Sequence, residues 1–388
     1  MEKRSSAVSE SRQPRRARPA PAVTIKEVAR KAGVSVATVS RVINEKGPVR
    51  EDTQRRIRRV VEKLRYAPHG AARSLITRET HTLGVLLPDL FGEFFSELIR
   101  GIDVAARRHG YHLIVSGSHG NRAETRALLR AMRGRVDGLV VLSASLDAGE
   151  LETNLPFEFP VVLLNGAGRG VFDAIRVDNY GGASAMVRHV IGLGHTRIAF
   201  VTGPPRNLDA AERLHGFHDA VGRAAGASAL EIPGDFREEA GYRAAARVLR
   251  AKPRPTAVLA ANDAMAIGLL CAFREHHVRV PEDLALAGFD DIPMARYMTP
   301  PLTTVRVPIA DLGARAAAGL LRALDGGTVR RPRREEILPT TLMVRASCGT
   351  PVRAHAAAEH HPPVVPLKDH SRKAENPFIS IPLKEETR

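Results

Sequence analysis

The order of apolar and polar positions changes twice along the chain, and each change predicts a different kind of structure. From Val23 the rhythm is helical. In "TIKEVARKAG", Ile25, Val28 and Ala29 share one face, and Thr24 and Glu27 have the spacing of a reciprocal capping box. Gly33 supplies a turn, and Ser35 is a good cap for a second short helix with Val39, Val42 and Ile43 facing inward. A third helix is predicted in "EDTQRRIRRVVEKLRY" from Ile57, Val60, Val61 and Leu64, although Arg50 stands at its start where a capping side chain is expected. Three short helices with a tight turn between the first two make a helix-turn-helix.

From about His81 to Gly349 the rhythm alternates. Apolar runs end in a polar residue or glycine and are followed by amphipathic helical stretches. The runs are "LGVLLPD", "HLIVSGS", "DGLVVLSAS", "PVVLLNG", "RIAFVTG", "AVLAAND" and "LALAGFDD". Continuous apolar strands between helices predict parallel sheets covered on both faces, and seven or more strands predict two α/β subdomains. Ligands of such folds bind beyond the carboxyl ends of the strands. That rule selects Asp89, Asn165, Asn262, Asp263, Asp290 and Asp291. After "LMVRASC" the periodicity stops, and residues 350–388 read as a disordered, Pro-rich tail.

Charge sharpens this division. The formal net charge is +16; residues 1–22 hold six Lys/Arg against two Asp/Glu, and residues 23–80 hold fourteen against six. The basic excess therefore sits on the N-terminal part, as expected of a polyanion-binding module attached to a near-neutral body. No apolar run is long enough to span a membrane, the first residues have no signal-like apolar region, and Cys271 and Cys348 have no metal-type spacing. A cytoplasmic protein is expected. Nothing places a nucleophile beside a base or a glycine loop at a strand–helix junction, so an enzyme is not expected. His355, Glu359, His360 and His361 could ligate a metal, but their segment is Pro-rich and unpacked. No metal and no cofactor are expected.

The succession "TIKEVARKAGVSVATVSRVIN", "YAPHGAARSL", "HTLGVLLPDLFGEFFSELIRGI", "GHTRIAFVTGP", "ERLHGF", "AANDAMAIG" and "LAGFDDIP" resembles the LacI/GalR family of bacterial transcription regulators from about Thr24 to Cys348. The resemblance implies an all-α helix-turn-helix headpiece, a hinge helix and an α/β, two-lobed core like a periplasmic binding protein, with parallel sheets. The boundaries expected are a basic disordered tail at 1–22, a DNA-binding domain at 23–68, a hinge helix and linker at 69–80, an effector-binding and dimerisation core at 81–349, and a second tail at 350–388. The chain should cross between lobes near Asp178, Thr304 and Arg331.

By the same resemblance, Val36, Ala37 and Arg41 occupy base-reading positions, while Thr38, Ser40 and Asn44 hold phosphates. Arg41 suits a guanine, whereas Val36 and Ala37 offer only apolar contacts. A good base contact contributes about 1–3 kcal/mol, short of the roughly 4–10 kcal/mol that operator selectivity needs. The hinge "HGAARSLIT" is too short to be a stable isolated helix. Paired with its twin in the minor groove it would wedge a base step open with Leu75. The partners implied are a pseudo-palindromic double-stranded operator, a second copy of the chain and a small molecule, with no membrane. The Pro-interrupted tail carries no leucine heptad, which favours a dimer over a tetramer.

Arg213, Asp290 and Asn262 are the implied ligand contacts, with Phe95 and Phe236 against the ligand's flat face and Asp89 and Asn165 beside them. A carboxylate, an amide and a guanidinium together suit a polyol. Gly166, Asn207 and Asp209 depart from the purine-repressor branch, so a sugar or sugar derivative is expected ahead of a purine or a phosphoprotein partner. A pure solute-binding protein is the remaining alternative, opposed by the basic headpiece.

Overall fold

The computed structural model describes residues 23–43, 47–66, 79–142, 148–156, 159–166, 171–325 and 334–349. Both expected tails and the hinge at 67–78, with Leu75, lie outside the described residues, as do Asn44 and the His355 cluster. The chain divides into two compact units, Met1–Thr80 and His81–Arg388.

The first unit contains helices α1 (Ile25–Ala32), α2 (Val36–Ile43) and α3 (Glu51–Lys63). Val28, Val39 and Ile57, one from each helix, form the centre of its core. Gly33 closes α1 in the left-handed region at φ 62°, which a residue without a Cβ adopts freely. Ser35 Oγ accepts from Thr38 N at 3.1 Å, capping α2. The capping box at α1 does not form. The Thr24 side chain makes no capping bond and stays exposed, where solvent serves it, while the Thr24 carbonyl accepts from Glu27 N and Val28 N at 3.0 and 3.2 Å.

In the second unit, β1 (Thr82–Leu87), β2 (His112–Gly117), β3 (Gly138–Leu142), β4 (Val161–Leu164), β5 (Asp173–Val177) and β11 (Glu335–Leu338) form a parallel sheet in the order β11-β5-β4-β3-β1-β2. Helices α4 (Glu93–Arg107), α5 (Arg122–Met132), α6 (Ala148–Asn154) and α11 (Ile309–Asp325) belong to this lobe. The other lobe carries β6 (Arg197–Val201), β7 (Ser228–Ile232), β8 (Ala257–Ala260), β9 (Ala285–Asp290), β10 (Thr303–Arg306) and β12 (Thr341–Met343), in the order β12-β10-β9-β8-β6-β7. Only the β10–β12 pair in that sheet is antiparallel, with Thr304 opposite Met343. Its helices are α7 (Asn179–Gly192), α8 (Leu208–Gly222), α9 (Glu238–Arg250) and α10 (Asp263–Glu275).

The seven predicted runs are β1, β2, β3, β4, β6, β8 and β9. The first crossing between lobes falls at Asp178, as expected, and the second just after β10, beyond Thr304. The third is displaced. Because β11 still pairs with β5, the chain changes lobe between Leu338 and Thr341 rather than near Arg331.

Close helix pairs depend on glycine. A Cβ on Gly101 of α4 would overlap the Ala310 carbonyl at the start of α11, and one on Gly241 of α9 would overlap that of Met265 in α10. These helices approach backbone to backbone, and the N-terminal residues of α4 and α10 line the space between the lobes.

Candidate functional site

Because all strands but β12 run parallel within their lobes, their carboxyl ends open together onto one cleft of about 1470 Å³. Asp89 follows β1, Asn165 follows β4, Asn262 follows β8, and Asp290 ends β9. Phe95 comes from α4, Arg213 from α8 and Phe236 from the loop after β7. All seven line this cleft.

Arg213 is its buried centre. Its Nε donates to Asn179 Oδ1 at 2.8 Å and its Nη1 to the Ala261 carbonyl at 2.6 Å, while Nη2 lies 3.3 Å from Asp290 Oδ1. The guanidinium carbon sits 3.8 Å from the Phe289 ring centroid and 5.7 Å from that of Phe236, so the cation has aromatic faces beside it. Burial pushes the Asp290 carboxyl up to about 6; the Arg213 charge opposes that rise and the Asp209 charge adds to it. Burial likewise pushes Asp209 up to about 6, with Arg213 opposing and Glu212 adding.

Some expected contacts are already engaged. Asn262 Oδ1 caps α10 by accepting from Met265 N at 3.0 Å, and its Nδ2 donates to the Phe236 carbonyl at 2.9 Å. Asp89 Oδ1 accepts from the amides of Leu90 and Phe91, leaving Oδ2 at 3.5 Å from Arg237 on the opposite lobe. Asp263 and Asp291 are struts instead. Asp263 accepts from Thr304 Oγ1 at 2.5 Å and from Ile292 N at 3.0 Å, and burial, then the Asp290 charge, raise its carboxyl well above the usual range. Asp291 accepts from Arg306 Nε at 2.7 Å and from Arg345 Nη2 at 2.5 Å.

Four further residues belong to the site. Asp209, one turn before Arg213 on α8, lines the cleft, and Asn207 caps that helix by accepting from Ala210 N at 3.0 Å. Asn179 holds Arg213 from behind. Its Nδ2 also reaches Asp209 Oδ1 at 2.9 Å and Glu212 Oε2 at 3.3 Å. Glu93 Oε2 accepts from Met294 N at 2.8 Å across the cleft mouth. The sequence already marks Asn207 and Asp209 as departures from the purine-repressor pocket, and the strand-end rule would have found Asn179 had β5 been recognised.

On the helical unit, Val36, Ala37 and Arg41 are exposed along α2, whereas Thr38 and Ser40 are half-buried. Thr38 Oγ1 lies 2.9 Å from Ser35 Oγ, so the two hydroxyls are hydrogen-bonded to each other. Lys26, Arg30 and Lys31 are exposed on α1. Among the described residues no acidic, His or Cys group is set to hold a metal, and no helix is long and apolar enough to cross a membrane.

Residues 24–69 match the model of bacterial regulatory proteins of the lacI family, and residues 187–348 match that of a periplasmic binding protein-like domain. The chain is 36% identical over 329 residues to the ribose operon repressor of Escherichia coli (strain K12), covering 84% of this chain and 99% of that protein. It is 38% identical over 305 residues to the HTH-type transcriptional repressor PurR of Edwardsiella ictaluri, covering 77% and 89%. Among solved structures, the lac repressor dimer bound to operator and the anti-inducer ONPF is similar at a TM-score of 0.75 and 28% identity, covering 85% of this chain and 100% of that one. A regulator from Enterococcus faecium with bound ribose is similar at a TM-score of 0.64 and 29% identity, covering 70% and 100%.

Proposed function

This chain belongs to the LacI family of bacterial regulatory proteins, and on that premise we propose that it is a cytoplasmic repressor that binds a pseudo-palindromic operator as a homodimer and is switched by a sugar between the core lobes. The observation that carries the sugar reading is the cleft floor. There the buried Arg213 guanidinium and the carboxylates of Asp209 and Asp290 from one lobe face the amide of Asn165 from the other beside aromatic rings, which is the donor and acceptor set that hydroxyls need. The ribose operon repressor among its relatives and the ribose complex among its structural neighbours support the same class. A ligand touching both lobes favours their closed arrangement, and coupling of about 1–3 kcal/mol would change operator affinity roughly 5–150-fold.

Reading of the operator rests on Arg41 with Val36 and Ala37, phosphate contacts from Thr38, Ser40 and Asn44, and Leu75 as the minor-groove wedge. A purine is the second reading, which similarity to the PurR repressors favours. Against it, the Gly166 position carries no aromatic surface to stack a planar base, and a Cβ there would meet no atom closer than 3.8 Å. The test is operator selection from random DNA, then mobility shift with sugars and purines. A sugar that changes the specific band at least fivefold while purines leave it unmoved supports the proposal. A shift by purines alone overturns the sugar, and no selected sequence overturns the operator.

A further inference from the structure

Among the described residues, the cleft is lined by seven carboxylates and four arginines. Most of those arginines are already matched. Arg213 faces Asp290 at 3.3 Å, Arg237 faces Asp89 at 3.5 Å, and Arg122 faces Glu150 at 2.8 Å. The floor in particular sets Asp209 and Asp290 against Arg213.

Hydrogen bonding is equally one-sided. Among the described residues, the cleft's buried side-chain atoms without a hydrogen-bond partner are Asp290 Oδ1 and Asn165 Oδ1. Both are acceptors, one from each lobe. Asp290 is 5% exposed, and its Oδ1 approaches Arg213 Nη2 without hydrogen-bond geometry. The donors of Arg213 that point away from the cleft are committed to Asn179 and the Ala261 carbonyl. The remaining N–H groups of Arg213 can serve the oxygen of a hydroxyl, whereas the two acceptors without a donor call for an added donor. An ammonium or protonated imine nitrogen is donor-only and cationic, so it fits both the two oxygens that lack a hydrogen-bond donor and the excess of negative charge.

We propose that the ligand of this cleft carries a basic nitrogen, so that it is an amino- or imino-polyol, with Asp290 and Asn165 accepting from its nitrogen and Asp209 supplying the adjacent negative charge. The proposal rests on the sugar reading above and narrows it. Phosphorylated and acidic sugars are excluded by the same charges, since each would place an anion against Asp209 and Asp290 in a low-dielectric floor.

Titration calorimetry of the full chain at pH 7.5 tests this with matched pairs: glucosamine and 1-deoxynojirimycin against glucose, and iminoribitol against ribose, with ribose 5-phosphate as the anionic member. At least one basic compound is expected to bind tenfold more tightly than its neutral parent, and ribose 5-phosphate at least tenfold more weakly than ribose. In Asp209→Asn the ratio of basic to neutral affinity should shrink at least fivefold, a ratio that general loss of affinity does not move. Neutral parents binding as tightly as every basic partner, or the phosphate binding best, would overturn the proposal while leaving the sugar reading intact. Binding of neither neutral nor basic compounds would overturn both.

Discussion

Replacing Asn179 by alanine asks whether the cleft arginine is held in place from behind. Asn179 is buried at the first crossing between the lobes, and its Oδ1 takes the Arg213 Nε proton at 2.8 Å. A hydrogen bond to a charged group contributes about 1.5–3 kcal/mol, and here the donor is left buried without a partner. The same substitution frees Asp209, held at 2.9 Å, and Glu212, held at 3.3 Å. Arg213 keeps Ala261 and Asp290, so it stays in the cleft but is no longer fixed in rotation about its own stem. With tenfold in affinity for each 1.4 kcal/mol, we expect ligand binding to weaken roughly ten- to a hundredfold. Calorimetry on Asn179→Ala reads this directly, with urea unfolding in parallel. Ser184→Ala, on the same helix as Asn179, serves as a control, since it deletes a buried 3.1 Å bond to the Gly216 carbonyl of α8 without touching the cleft. The control should lose about 1 kcal/mol of stability and keep its affinity within about threefold. Wild-type affinity in Asn179→Ala would show that Ala261 and Asp290 suffice to orient the guanidinium.

Gly241→Ala should destabilise the core by about 1–3 kcal/mol, because its Cβ meets the Met265 backbone rather than a side chain that can turn away; the urea midpoint should fall with an unchanged slope. Asp290 holds its proton to about 6 in the folded chain, against an ordinary value of 3.8, so the native state binds more protons than the unfolded state between those limits. Stability should therefore fall as pH rises through that window and level off above it, by up to about 3 kcal/mol, and Asp290→Asn should remove this part of the slope in urea titrations at pH 4.5 and 7. Arg41→Ala should cost specific operator binding about 1–3 kcal/mol and relax the preference at one base pair, as read by selection from random DNA; equal losses on nonspecific DNA would remove Arg41 from base reading. Ser35→Ala should lower headpiece stability by about 0.5–2 kcal/mol through loss of the 3.1 Å cap, as followed by thermal melting.

What the sequence made legible follows from how each element is buried. β1, β3, β4, β8 and β9 are buried along nearly their whole length, so their residues had to be apolar throughout and announced themselves as runs. β7 and β11 sit at or near sheet edges with mostly exposed or half-exposed positions, and β10 and β12 are four and three residues long; none needs an apolar run. Missing β11 displaced the third crossing, and missing β5 hid Asn179. The seven cleft residues were found because a strand end and a family motif coincide at most of them. The roles of Asp263 and Asp291 were not legible, since adjacent polar residues after a strand, Asn262–Asp263 and Asp290–Asp291, look alike until Thr304, Arg306 and Arg345 are seen to claim one of each pair.

That pairing also explains how the cleft keeps a costly backbone. Asn165, Phe236, Asp290 and Asp291 have φ values of 52°, 72°, 113° and 54°, a region that side-chain-bearing residues enter at a cost of about 1–3 kcal/mol each and hold only when neighbours impose it. Phe236 is imposed by Asn262, whose amide donates to its carbonyl at 2.9 Å. Asp290 is imposed from its two sides. Val307 N donates to its carbonyl at 3.1 Å, and the carboxylate of the next residue, Asp291, is gripped by Arg306 and Arg345. Arg306 immediately precedes the second crossing between lobes and Arg345 shortly follows the third. The residue that faces Arg213 is thus positioned by the same segments that carry the chain from lobe to lobe. A ligand drawing on Asp290, as proposed above, would act on those segments through one intervening side chain, Asp291, and so would couple its recognition to the inter-lobe segments.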